Sequence, residues 1–493
     1  MRKRYIKNIA LFMAAACMMS SCIDLEELNQ DPNNPTTTQP ALLLTNVEYS
    51  AFSKSSTGAA YAIKQLVKTD GESMEQVFKW TRGDFDYYSS LRDVTKMEEV
   101  ASEGSAYKAI AALLRANYFF QLTMDFGDIP YSQALKGETE LVYAPEYDPQ
   151  EMVFEGILKE LAEADAILKD SKEIITGDII YDGDLLKWRK LINAYRLRIL
   201  MTLSGKQNAG SVNIVEEFKK AAAGPLMESI EDNGQLVYLD QAGNRYPHFN
   251  SSGFGSGMYM DETYIDLMCE REDNRLLAIA TRTPNAEKAG KPVTDFSAYD
   301  GGDPSVPYSD VNDKATAGDC SKPLERYYKN PTNEPTIVMG YTEQQLILAE
   351  AVVRGWITGN DKELYESAVK ASFQFYHDNV PELVQYLDEQ ASSTYLQGEK
   401  VRYDSSYSNE RKLELIAIQK YLPTFLQGNT WLPYYEQLRT GYPEFKRAEG
   451  VNLPYRWMYP QDEYNNNAEN VQEALDRQFG GSDKTSDMPW WIK

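Results

Sequence analysis

Histidine is almost missing from this chain: His248 and His377 are the only two among 493 residues. A histidine-rich metal site is thereby excluded, and a serine-type triad has next to nothing to draw on for its base. Cysteine is scarce too, at four; Cys17 and Cys22 sit near the start, and Cys269 and Cys320 remain for the rest of the chain. Outside the cytoplasm those two are able to pair, and two buried free thiols are the equal alternative. Basic side chains are in deficit, with 50 Lys and Arg against 74 Asp and Glu, a formal charge of -24. The first 21 residues carry four of the bases (Arg2, Lys3, Arg4, Lys7) and no acid, so without them 46 bases face 74 acids, a net -28. A surface that acidic repels phosphate backbones, which excludes nucleic acid as an expected partner. Long apolar runs are missing beyond residues 9–19, and nothing else approaches a membrane-spanning stretch. What is abundant is tyrosine, 34 residues of it, a ring that serves binding as well as packing. With 42% hydrophobic and 25% charged residues the composition is that of a globular protein.

The N-terminus reads as an address. A basic start, the apolar run Ile9 to Met19, then Ser20, Ser21 and Cys22 have the three-part layout of a secretory signal. Small residues before a cysteine resemble a bacterial lipobox, which makes Cys22 the lipidated first residue of the mature chain. Cys17, after Ala14-Ala15-Ala16, is the rival. Cys22 is preferred because Ile23-Asp24-Leu25-Glu26-Glu27 follows it, and acids at that place resemble the surface-export signal of some Gram-negative lipoproteins. The expected division is a signal over 1–21, a lipidated tether over 22–40 and one globular unit over 41–493. The tether is rich in Pro, Asn and Thr without apolar periodicity, and it reaches at most about 60 Å.

From Ala41 onward the periodicity predicts a mostly α-helical protein. Asp148, Pro149 and Glu151 read as N-cap, N1 and N3 of a helix carrying Phe154, Ile157, Leu158, Leu161 and Leu168. Other helices carry Ile110, Leu113, Leu114 and Tyr118; Trp188, Leu191, Ile192 and Tyr195; Leu346, Ala349 and Val352; and Val369, Phe373 and Tyr376. Short connections and small residues at contact positions, as in Ala349 and Ala351, are similar to tetratricopeptide helix pairs, though no clean 34-residue period is present. Two regions break the pattern as long irregular loop excursions: residues 236–258, rich in Gly, Ser and aromatics, and residues 284–336, dense in Pro, Gly, Asp and Tyr. Irregular stretches this long are usually functional or mobile.

The block Asp125-Phe126-Gly127-Asp128-Ile129-Pro130-Tyr131-Ser132 closes one predicted helix. Gly127 is suited to end it at positive φ, and Pro130 stops its continuation. As sequence, this block resembles the most recognisable segment of the SusD/RagB family of nutrient-binding outer-membrane lipoproteins. Other blocks agree in order: Asn29 to Pro35, Asp184 to Ser204, Glu350 to Trp356, Gln419 to Leu422, Arg439 to Pro443, and Pro454 to Pro460. The likeness runs from Cys22 almost to the end and is closest to the starch-binding, outer-membrane-associating branch. It implies a helical, tetratricopeptide-based SusD-like fold without catalytic activity. It further implies a cell-surface lipoprotein that captures oligosaccharide, in some relatives peptide, and acts as the lid of a partner SusC-like TonB-dependent outer-membrane transporter. No motif match carries over individual ligand-binding residues.

Sugar chemistry supplies candidates instead. A pyranose has an apolar C–H face on which rings stack, while amides and carboxylates bond its hydroxyls. Loops on a rigid scaffold are where such groups belong. The first loop offers Trp80, Asp84, Phe85, Tyr87 and Tyr88; the second Tyr246, His248, Phe249, Asn250 and Tyr259; the third Phe296, Tyr299, Asp300, Asp303 and Tyr308. The binding residues expected from these are Trp80, Tyr87, Tyr88, Tyr246, Phe249 and Tyr299. A packing role stands beside the binding one for each, and Trp188, Trp356, Trp431 and Trp457 are assigned to the core. No cofactor is expected. The third-loop aspartates lack the spacing of a Ca²⁺ loop, so a solvated acidic loop is favoured over a calcium site. The rival function is a secreted helical-barrel glycoside hydrolase, which needs two carboxylates about 5–5.5 or 6.5–9.5 Å apart.

Overall fold

Helices begin where the sequence supplies caps. In the computed structural model, which describes residues 38–428 and 431–493, Ser105 accepts the N–H of Tyr107 at the head of α1 (Ala106–Phe126). Gly127, at φ +94°, ends it, and a Cβ there would fall 2.2 Å from Gln478 Oε1. Asp184 accepts the N–H groups of Leu186 and Lys187 and opens α3 (Leu185–Thr202). Asn360 does the same for Glu363 at the head of α5 (Asp361–Asn379). The helix between, α2 (Gln150–Asp170), starts differently from the sequence expectation: Pro149 is its N-cap and Asp148 lies outside it. The Asp148 carboxylate is taken by the N–H groups of Tyr131 and Ser132, at 3.0 and 2.8 Å. Asp128 Oδ1 accepts the N–H of Gln150 at 2.8 Å. The Asp148 carboxylate thus satisfies two turn amides across the chain rather than its own helix.

The long helices pack in sequence. α1 lies against α2 and α2 against α3, while α4 (Tyr341–Val353) lies against α5 and against α6 (Asn409–Tyr421). The two halves meet where α3 packs on α4. There Arg198 of α3 donates to Glu343 Oε1 at 2.6 Å and to the Val338 carbonyl at 2.7 Å. Ala349 and Ala351 are fully buried, which lets the backbones approach. One apolar cluster runs without a break from Leu44 to Trp491. This is a mostly helical architecture with few, short strands, its long helices packed against their sequence neighbours. The signal segment, Cys22 and the tether up to Thr37 lie outside the described residues.

Both irregular regions belong to one excursion whose ends are tied. Gly234–Leu236 pairs antiparallel with Thr336–Met339, so the chain leaves and returns at one place. Within it only short helices form, the longest being Tyr308–Ala317. A second ribbon pairs Leu66–Lys68 with Met258–Met260. Gly302 donates to the Met260 carbonyl at 2.9 Å, and Met260 to that of Ser321 at 3.0 Å. The backbone ladder therefore ties the segment leading into the first loop to parts of the second and third. Cys269 and Cys320 are free thiols, which removes the disulfide alternative.

Candidate functional site

The six aromatic candidates do not form one platform. Trp80 is 4% exposed. One face of it stacks on Trp457, with centroids 4.3 Å apart and planes at 7°, and Trp431 meets it edge-on at 5.2 Å. Tyr246 is buried edge-on to Tyr238 at 5.6 Å. Tyr299 is buried, with its hydroxyl donating to the Val293 carbonyl at 2.8 Å. Tyr88 is half-buried between Phe85 and Phe119 and donates to the Pro130 carbonyl. These four rings have their faces or hydroxyls engaged by protein. Phe249 is half-buried under the Arg245 guanidinium, 5.2 Å from its centroid. Tyr87 is half-buried and donates to Gln121 Oε1 at 2.8 Å, with Lys54 Nζ 5.8 Å from its ring centre.

Rings that reach solvent lie instead beside Trp80. Trp431 and Trp457 are half-buried and meet edge to face, centroids 5.8 Å apart and planes at 88°. Sequence spacing placed both in the core, because each stands at a helix end or turn hundreds of residues from the first loop. Only folding brings them onto Trp80. The backbone holds the join: Gly83 donates to the Met458 carbonyl at 3.0 Å, and Trp457 to that of Asp125 at 2.8 Å. A Cβ on Gly83 would lie 2.6 Å from Phe126 Cζ and 3.0 Å from Trp457 Cβ, so glycine is what permits the close approach. Asp84 follows it and is exposed.

Asp125 supplies the polar counterpart. Burial pushes its carboxyl up to about 7, against a hydrogen bond donated by the Tyr435 hydroxyl and with the Asp84 charge adding to the rise. The same surroundings raise the Tyr87 phenol, by burial first and by Asp125 second. The result is a pair of indoles at right angles, with the exposed Asp84 next to Gly83 at their join and the buried Asp125 behind Trp457. Such a ledge offers a stacking face and hydroxyl partners, the two things a sugar ring takes.

The third-loop carboxylates are engaged at home: Asp300 by Lys314 at 2.9 Å and Asp303 by Lys446 at 2.8 Å. Among the described residues no three His, Cys, Asp or Glu side chains group so as to hold a metal ion.

A family model described as starch-binding, associating with the outer membrane, matches residues 32–460. The chain belongs to the SusD-like family. An outer-membrane protein of Bacteroides vulgatus, described in terms of nutrient binding, is 66% identical to this SusD-like chain, covers 92% of it and 100% of its own length, and superposes with a TM-score of 0.91. A SusD homologue from Bacteroides fragilis is 51% identical over 93% of this chain and all of its own, with a TM-score of 0.88. A second from the same species is 32% identical over 92% and 100%, at 0.85. No curated protein sequence matches. The SusD-like assignment makes this a nutrient-binding protein of an outer-membrane-associated family. Among the described residues no helix is long and apolar enough to cross a membrane.

Proposed function

We propose that this protein captures oligosaccharide on the cell surface, held by acyl groups on Cys22, and delivers it to a SusC-like TonB-dependent outer-membrane transporter as its lid. The observation that carries the sugar reading is the Trp431–Trp457 ledge backed by Trp80. Buried stacking fixes the rear indole, so the two outer rings are preorganised and little ordering entropy opposes binding. Asp84, exposed beside the join, is the carboxylate open to hydroxyls of a stacked ring. A peptide ligand would call for backbone donors and acceptors in their place.

The protein binds without cleaving. Asp125 has a raised pKa beside a second carboxylate, the one feature here that a glycoside hydrolase would also need. Its hydrogen bond from Tyr435 gives it a positioning role instead. A glycan-array screen of the mature chain, followed by product analysis on any glycan bound, tests both halves. Glycan binding without new reducing ends is expected. Turnover abolished by Asp125→Asn would overturn the binding-only reading, and exclusive capture of peptides would overturn the sugar reading.

A further inference from the structure

A cavity of about 350 Å³ opens between the turn after Glu262–Cys269, the short 3₁₀ turn Phe296–Ala298 and the helices Val384–Leu387 and Glu389–Tyr395. It shares no lining residue with the tryptophan ledge. Phe296 is its half-buried aromatic wall. Around that ring stand Arg271, Asn274, Gln385, Asp388 and Gln390.

The hydrogen-bonding capacity of these groups is largely unspent. Arg271 donates one N–H to the Leu267 carbonyl at 2.9 Å, and its Nε is buried with no partner among the described residues. Asn274 uses its amide NH₂ on the Tyr386 carbonyl at 2.9 Å, which leaves its oxygen to accept. Asp388 receives the Ala391 N–H on one oxygen at 2.8 Å and keeps the other. Gln390 reaches Thr394 through its nitrogen at 3.3 Å, and Gln385 makes no side-chain hydrogen bond among the described residues. The rim thus interleaves donors with acceptors beside an apolar face. A hydroxyl both donates and accepts, so a row of ring hydroxyls is the chemistry that such a rim satisfies. Either sign of charge on a ligand is disfavoured, since Asp388 and Arg271 are both present. The volume lies at the lower end of the about 300–1,000 Å³ typical of ligand sites, which suits one or two sugar rings rather than a long chain.

We infer that this cavity is a second, separate glycan-binding site, with Phe296 as stacking ring and Arg271, Asn274, Gln385, Asp388 and Gln390 as hydroxyl partners. It rests on the reading of the protein as a sugar binder, and it extends that reading to two independent contacts on one polysaccharide. Two linked contacts raise avidity without strengthening either one. The segment that carries Phe296 is held in place: Cys269 Sγ lies 3.5 Å from the Phe296 carbonyl, and Asp295 caps the turn through the Ser297 N–H at 2.9 Å.

Saturation-transfer NMR of the mature chain with methyl glycosides of glucose, galactose, mannose, xylose and N-acetylglucosamine tests it. Three variants are compared: Phe296→Ala, Gln385→Ala with Gln390→Ala, and Trp431→Ala with Trp457→Ala. At least one glycoside should keep its signal in the tryptophan variant and lose it in both cavity variants, an affinity drop of about tenfold or more. The glutamines are exposed, so their variant should melt with the wild type and serves if Phe296→Ala fails to fold. Signals unchanged in the glutamine variant, or lost only in the tryptophan variant, overturn the second site and leave the ledge standing. If every glycoside that binds keeps its full signal in the tryptophan variant and loses it in the cavity variants, the ledge is overturned instead. No glycoside signal from the wild type overturns both.

Discussion

Trp80 touches Trp457, Trp431 and Tyr434 and is nearly hidden. Trp80→Ala should therefore cost about 3–5 kcal/mol of stability, read as a lower denaturant midpoint. Trp431→Ala with Trp457→Ala should weaken glycan binding about tenfold or more and also lower stability, because both rings pack on Trp80. Asp125 gives a pH signature. Its folded pKa of about 7 lies above the ordinary 3.8, so the protonated form favours the fold. That contribution is complete below about pH 4 and is lost as pH rises through about 7. Asp125→Asn should remove it: wild type and variant should diverge in the variant's favour between those limits in pH-dependent thermal melts. A constant gap across that window would contradict the assignment. At this scale the sequence was a partial guide. It put Trp80 among the binding rings of an aromatic loop, whereas the ring is buried, and burial is a property of what lands on a ring. Trp457 lands on Trp80 from 377 positions away, and no local spacing announces that.

The helices were more legible, because capping and apolar period are local. The stop at Gly127 was read from residue chemistry alone, and the caps at Ser105 and Asp184 are of the same local kind. Asp148 misled because its carboxylate serves the Tyr131–Ser132 turn, a choice made by tertiary neighbours. Gly127→Ala should destabilise the chain, since it meets both a positive φ and Gln478, whose side-chain oxygen accepts the Asp128 N–H at 2.8 Å. Three of the family-like blocks meet in one buried ionic network. Glu350 takes both forks of Arg439, at 2.6 and 2.9 Å, while Lys420 bonds Glu436 at 2.8 Å. Burial alone would raise the Glu350 carboxyl; Arg439 and Lys420 override it and hold the group well below the usual range. Arg439→Met leaves two buried carboxylates with one cation fewer. It should cost about 3–5 kcal/mol in chemical unfolding. Acid should narrow that deficit as the orphaned carboxylates take up protons.

At the scale of the whole molecule, a helical frame carries one long irregular excursion that is closed at its root by the Gly234–Leu236 and Thr336–Met339 ribbon. Its composition marked it as something other than scaffold, while its closure depends on pairing across about a hundred residues and left no local trace. The frame is what holds the Trp431–Trp457 ledge rigid, and a rigid ledge is what loses little entropy on meeting a sugar. Anchorage and handover extend the account beyond the chain. Cys22→Ala should release the protein from outer-membrane fractions, and pull-down of the anchored wild type should bring a TonB-dependent barrel with it. The most direct test of the central claim is migration of wild type and the Trp431→Ala, Trp457→Ala variant through native gels cast with a panel of soluble polysaccharides. The account predicts that at least one polysaccharide retards the wild type and leaves the variant's migration close to that in an empty gel. Wild type unretarded in every gel, or a variant retarded as strongly as the wild type, would contradict it.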